Sequence, residues 1–393
     1  MKDKLTETTM ELMMGPSHPA MHGTVLCRLL LEGEKVKDCD VELGYLHRGF
    51  EKICENCSWL QIFPYTDRLN YASPLLNEVG YALSIEKLMG IEAPPRAQYI
   101  RVILGELSRI TDHLLCNAAI SMELGAFTPY LYLITAREWI FRLLEKTTGA
   151  RVTHNWIRIG GVKEDLPYDF KDDIEEVFKK IDRAIKDSEA ILMKNRIFLD
   201  RLEGVGKISK ESAISYGLTG VLLRSTGIPY DVRKDYPYLV YEEFEFDIPI
   251  GTNGDNYDRF MIRFEEIRQS IRIIRQALKK IPKGAVKVED WGIVLPDKIE
   301  VYTTIEGTIA QFMHVIKGIR VPKGEVYSYI EGGNGELGYY VVSTGDNGPY
   351  RLHLRAPCFL NLQALKEMVV DGYLADIIPT FGSINMIGGE CDR

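Results

Sequence analysis

RAQYIRVILGELSRITDHLLCNAAISMEL, residues 96–124, is the stretch that decides the fold class. Ile100, Ile103, Leu104, Leu107, Ile110, Leu114 and Leu115 recur at three- and four-residue spacing and give a broad apolar stripe, the pattern of a core helix. The breaker Ala93-Pro94-Pro95 stands just ahead of it. Downstream, Thr128-Pro129 opens a second helix that runs to Thr148 and is closed by Gly149, and residues 169–195 and 256–281 carry two more. Upstream, the segments beginning at Tyr45 and Leu75 show the same spacing, so the reading is a bundle with at least five long members. The first forty residues differ: TMELMM, VLCRLLLEG and EKVKDCDVEL around Glu32-Gly33-Glu34 predict a small antiparallel sheet. Past Pro282, residues 325–356 predict three strands joined by Gly-Asn-Gly and Asp-Asn-Gly turns. The fold class is α+β, divided as an N-terminal β module (1–43), a helical core (44–281) and a C-terminal β module with its tail (282–393). Within the core, the irregular stretch 209–254 is the expected site of surface loops.

Composition narrows the function. The 393 residues are 46% hydrophobic and 26% charged, which excludes disordered, collagen-like and disulfide-scaffold classes. Lys plus Arg number 48 against 56 Asp plus Glu, a net charge of −8, so binding to nucleic acid or to an anionic membrane by charge alone is disfavoured. No apolar run approaches the ~20 residues that cross a bilayer, and the first ten residues lack the apolar middle of a signal peptide. The expectation is a cytoplasmic chain that touches a membrane only through other proteins. Seven scattered cysteines, an odd number, suit reduced thiols.

Most isolated motifs are weak. Gly333-x-Gly335-x-x-Gly338 matches the dinucleotide pattern, but a strand follows where a helix is needed, so it reads as a hairpin turn. Cys54-x-x-Cys57 lacks two further ligands at workable spacing and reads as packing. His18 and His22 stand four apart, yet Pro19 between them forbids a helical metal pair. GPSHPAMHG (15–23) is a tightly turned loop that either presents an imidazole to a ligand or is structural. Tyr71, beside Asp67-Arg68, and Glu123, at the end of the longest helix, decide nothing singly.

Together the segments carry a resemblance. GPSHPAMHG (15–23), GYLHRGFEK (44–52), YIRVILGELSRITDHLL (99–115), ELGAFTPYLY (123–132), HNWIRIGGVKEDLP (154–167), EGVGKIS (203–209), YDVRKDYPY (230–238), GELGYYVVS (335–343) and GECDR (389–393) resemble the D-type subunit of the proton-pumping NADH:quinone oxidoreductase, respiratory complex I. That family shares its fold with the large subunit of nickel-iron hydrogenases. At the positions of the four hydrogenase thiolates this chain has Asn70, Ser73, Ile387 and Glu390, which cannot replace soft sulfur ligands, so no metal is expected.

The resemblance implies a quinone cavity at the old metal position, with the C-terminal tail returning to it. Tyr71 and His22 would hydrogen-bond the quinone oxygens and donate protons, His18 and Met21 would line the cavity, and Glu123 would pair with His22 where relatives have Asp. Electrons would come from an iron–sulfur cluster in the partner B-type subunit, close to Arg48, Thr153 and His154; many members have His at position 153. The resemblance further implies the C-type, I-type and membrane-embedded H-type subunits as partners, and a peripheral position on the cytoplasmic face of the membrane. This chain binds no cofactor of its own in that scheme and is inactive alone; NADH or ferredoxin is the donor, and menaquinone a suitable acceptor. The alternatives are a hydrogenase large-subunit homologue and a non-catalytic scaffold of a related ferredoxin-linked complex.

Overall fold

A computed structural model describes residues 8–18 and 23–393. It begins with a three-stranded antiparallel sheet, β1 (Thr9–Met14), β2 (Leu26–Glu32) and β3 (Lys35–Glu42), in the order β1-β2-β3. Glu32 pairs with Lys35 across a two-residue turn whose first member, Gly33, has φ of 61°, open to glycine without strain. Cys27, Leu29, Leu31, Val36 and Cys39 face a core shared with the C-terminal residues. Residues 371–374 hydrogen-bond along β3 (Val36 N–H to Gly372 O, 2.9 Å; Leu374 N–H to Glu34 O, 2.8 Å), which covers that edge.

Five long helices follow: α1 (Pro74–Met89), α2 (Pro95–Glu123), α3 (Phe127–Thr148), α4 (Phe170–Leu192) and α5 (Asn256–Lys280). Proline at the first turn of α1 and α2 costs no hydrogen bond, because those N–H groups have no intrahelical acceptor. The helix α2 packs against α1, α3 and α5 and is buried almost all round, so the apolar stripe is only part of its buried surface. The rest of its circumference includes buried titratable side chains: Arg101, Glu106, Arg109, Asp112 and His113 are all inside.

The second sheet, β4 (Gly324–Glu331), β5 (Glu336–Ser343) and β6 (Arg351–Arg355), is antiparallel in that order and lies on α1. Gly80 makes that approach possible, since a Cβ there would sit 2.9 Å from the Tyr339 ring. The Gly-rich run at 333–338 is the β4–β5 hairpin, with Glu331 paired to Glu336. The chain ends in short helices α6 (Pro357–Gln363), α7 (Ile377–Ile384) and α8 (Gly388–Cys391).

Two expectations need correction. Residues 44–73 are mostly turns with only the short helices Phe50–Cys54 and Phe63–Thr66. Residues 209–254 are not simply surface loops, because Arg224, Asp231, Arg233 and Tyr241 lie fully inside. Their charges are matched across the fold: Arg224 meets Glu266 (2.7 Å) and Glu331 (2.8 Å), and Arg233 meets Asp231 (2.6 Å) and Glu106 (3.1 Å). Paired charges can be buried where single ones cannot. Cys54 packs in the helical core, with Cys57 half-buried beside it.

Candidate functional site

The loop 68–73 lies between the helix Phe63–Thr66 and α1, and the carboxylate of Asp112 on α2 anchors it. Asn70 Nδ2 (3.0 Å) and Ser73 Oγ (2.9 Å) both donate to Asp112 Oδ2. Thr111 Oγ1 donates to Ala72 O at 2.8 Å, and Asn77 Nδ2 to Asn70 O at 3.0 Å. The clamp buries Asn70, Ala72 and Ser73 and leaves the Tyr71 ring 40% exposed. Among the described residues no hydrogen bond is made by the Tyr71 hydroxyl.

The C-terminal residues complete the arrangement. Asn385 caps α7 in the left-handed conformation (φ 57°) and donates through Nδ2 to Asp112 Oδ1 (2.8 Å) and Asn334 Oδ1 (2.6 Å). Helix α8 then lies against the loop so closely that a Cβ on Gly389 would be 2.5 Å from Arg68 O and 2.7 Å from Leu69 O. Arg48 joins the two segments, donating to Arg68 O (2.7 Å) and Gly389 O (3.1 Å). Gly23, at the exit of the 15–23 loop, lies against Met386 and Gly388. Asn70 and Ser73 from one motif, and Asn385 from the other, therefore converge on Asp112.

Beside them sit Cys358, from α6, and Glu390, both fully buried. The Cys358 amide donates to Glu390 Oε1 (3.2 Å), its thiol to Glu390 Oε2 (3.3 Å), and Asn334 Nδ2 to the sulfur (3.2 Å). Burial, with Asp112 nearby, pushes the Glu390 carboxyl up to about 7, and burial with Glu390 beside it pushes the Cys358 thiol up as well. The Tyr71 phenol is raised by burial and by Cys358 and Asp112, with Arg48 acting against them. Burial here disfavours the ionised forms of Glu390, Cys358 and Tyr71.

One consequence concerns pH. An ordinary Glu titrates near 4.5, so the folded chain holds more protons than the unfolded one between that value and about 7. The stabilisation from the buried neutral acid is complete below about pH 4.5, and roughly 3 kcal/mol is lost as pH rises through 7. Amide exchange at Gly388–Cys391 in the assembled complex, corrected for intrinsic base catalysis, is expected to accelerate between about pH 4.5 and 7 and to level off above that. Glu390→Gln is expected to flatten that rise, and an equal rise in the variant would refute the assignment.

The other expected site residues fall around this centre unevenly. Glu123 closes α2 with its carboxylate against α7, so close that a Cβ on Gly382 would be 2.6 Å from Oε2. His22 and Met21 lie outside the described residues, so the Glu123–His22 pairing is not part of the description. His18 is exposed. Thr153 is half-buried with φ of 56°, and His154 is 5% exposed, its imidazole lowered by burial to about 4 and hence neutral at physiological pH. Asp112 and Cys358 were not anticipated. A carboxylate set between the apolar Ile110 and Leu114 of α2 was the available signal for Asp112, because a charge on a buried face needs partners. Nothing local marked Cys358. Among the described residues no group of three or more His, Cys, Asp or Glu side chains is placed to hold a metal ion, and Asn70, Ser73 and Ile387 offer no thiolate.

Residues 123–393 match the family model described as the respiratory-chain NADH dehydrogenase 49 kDa subunit. The chain is 57% identical over 390 residues to a D-type subunit of the NADH-quinone oxidoreductase of Sorangium cellulosum, covering 99% of this chain and 96% of that protein. Identity to the D-type subunit of Myxococcus xanthus is 52% over 387 residues (98% and 92% covered). In Bdellovibrio bacteriovorus the similar protein bears the double designation C/D, 46% identical over 391 residues, which cover 100% of this chain and 70% of that one. Matches of this extent leave no room for a chance likeness of motifs, and the chain belongs to the family of the 49 kDa subunit of the respiratory-chain NADH dehydrogenase.

Proposed function

We propose that this chain is the D-type subunit of an NADH:quinone oxidoreductase and contributes one wall of its quinone-binding cavity, on a fold of the nickel-iron hydrogenase large-subunit type. The observation that carries the reading is the partly exposed Tyr71 beside Cys358 and Asp112, presented by a loop tied down by Asp112 and the C-terminal tail. Reducing a quinone to a quinol takes two electrons and two protons, and the chain supplies groups for the protons: Tyr71, with His22 as the second donor and Glu123 as its partner. His18 and Met21 line the cavity. The electrons arrive from the iron–sulfur cluster of the B-type subunit, with Arg48, Thr153 and His154 on the side facing it. The buried imidazole of His154 stays neutral near pH 7, so neither it nor the Thr153 hydroxyl supplies the titrating group that a His at 153 would.

No helix among the described residues is long and apolar enough to cross a membrane. In this reading the subunit is peripheral, on the cytoplasmic face, and held by the membrane-embedded H-type subunit. The relative designated C/D supports the C-type subunit as a neighbour, with the B-type and I-type subunits completing the arm. A photoreactive quinone analogue added to the assembled complex tests the reading. Adducts are expected within residues 18–23, 68–73 or 385–391 and should be competed by quinone. Competable labelling confined to other parts of the chain, or absent from it, would refute the quinone wall.

A further inference from the structure

Two carboxyl groups outside the cluster around Tyr71 face each other in the core. Asp67 precedes the Tyr71 loop, Glu78 is on α1, and both are 0% exposed. Together they grip three successive backbone amides: Asn155 N–H donates to Asp67 Oδ2 (3.0 Å), and Trp156 and Ile157 N–H donate to Glu78 Oε2 (2.8 and 2.6 Å). Because the three amides are consecutive, the two carboxyls that accept from them are brought side by side. Their remaining oxygens, Asp67 Oδ1 and Glu78 Oε1, have no donor partner. Two anions side by side in a dry site repel strongly, and a proton between them would relieve the repulsion and give the two orphaned oxygens a bond.

We propose that Asp67 and Glu78 form a proton-binding site that holds one shared proton and, through it, locks the segment Thr153–Ile157 to the Tyr71 loop. The charged and titratable groups around the pair are Arg158 from the short strand at 157–158, the exposed Arg68 on the same loop, and Tyr339 from β5. Arg158 is already occupied by Asn155 Oδ1 (2.8 Å) and Ile157 O (2.9 Å). The two arginines offset the single negative charge of the half-protonated pair and leave the second ionisation opposed by burial. Both carboxyls are accordingly raised, Glu78 well above its ordinary value. Loss of the shared proton places two anions behind the three amides and loosens the junction between the two loops. Asp67 and Glu78 act as positioning residues, since neither is among the groups assigned to the quinone.

The test uses the assembled complex and two isosteric variants, Asp67→Asn and Glu78→Gln, each replacing the shared proton by an amide donor that cannot dissociate. In the native protein, amide exchange at Asn155–Ile157, corrected for intrinsic base catalysis, is expected to rise about tenfold or more on alkaline titration. In both variants it is expected to stay flat, and infrared difference spectra of native against variant protein are expected to show one neutral carboxyl lost. A flat native profile, or variants that titrate like the native protein, would overturn the proposal, and either variant alone suffices if the other does not assemble. The pH profile of quinone reduction is a second readout, which rests on the proposed function. Exchange and infrared results do not, so a failure of the quinone reading leaves them interpretable.

Discussion

Replacing Tyr71 by Phe in the assembled complex is expected to lower the kcat of quinone reduction about 100-fold or more, the usual scale for removing a positioned proton donor. The substitution deletes one oxygen from a ring that is 40% exposed and whose hydroxyl no described residue binds. Asn70, Ser73 and Asn385 keep their bonds to Asp112, so the loop retains its shape. Assembly, thermal stability and inhibitor binding should therefore change little while turnover falls, the mark of an interaction that matters in the chemical step. His22→Ala is expected to behave in the same way. A scaffold reading predicts near-normal turnover for both variants, so steady-state kinetics on complexes of verified subunit content separates the two. A kcat within a factor of about two of the native value for Tyr71→Phe would remove the proton-donor role.

Glu106→Ala is expected to be the most destabilising single change in this chain. Glu106 lies on α2 with no exposure, between Arg109 (3.3 Å) and Arg233 (3.1 Å), and accepts from Tyr241 (2.7 Å) and Ser270 (2.6 Å). Burial alone would raise its carboxyl, but the two guanidinium groups and the two hydroxyls outweigh burial and hold it at about 2. Truncation leaves two buried cations without that counter-charge and two hydroxyls without an acceptor, at a cost of roughly 3–5 kcal/mol. Glu106→Gln keeps some hydrogen bonds and loses the charge, so an intermediate loss is expected. Lys186→Ala, which removes an exposed pair with Asp182, should stay within about 0.5 kcal/mol. Thermal unfolding of the complex and exchange protection along α2 measure the order, and a Glu106→Ala protein as stable as Lys186→Ala would show that the network contributes nothing net. The sign with pH follows from the depressed carboxyl: its stabilisation is present above about pH 4.5 and lost as pH falls through 2.

Much of the architecture is local in origin and was readable as such. The 95–123 helix shows its period within a few turns, proline marks its start, and the hairpins at 332–335 and 344–350 announce themselves through Gly and Asn. The site was legible in a different way. Tyr71 and Glu123 are common residue types in unremarkable positions, and only the ordered blocks along the chain singled them out.

What the sequence determined by itself is the alternation of periods, two near the ends and 3.6 in the middle, and the identities of the groups that can carry protons. Those depend on neighbours a few residues away. Tertiary structure alone decided which of the charged residues would be buried. Asp112 meets Asn385 across 273 positions and Glu106 meets Arg233 across 127, and no local pattern reports a partner that distant. Read locally, the segment around Arg224 and Arg233 is polar and hence external; in the fold each charge finds its opposite before it is buried, which reverses the preference.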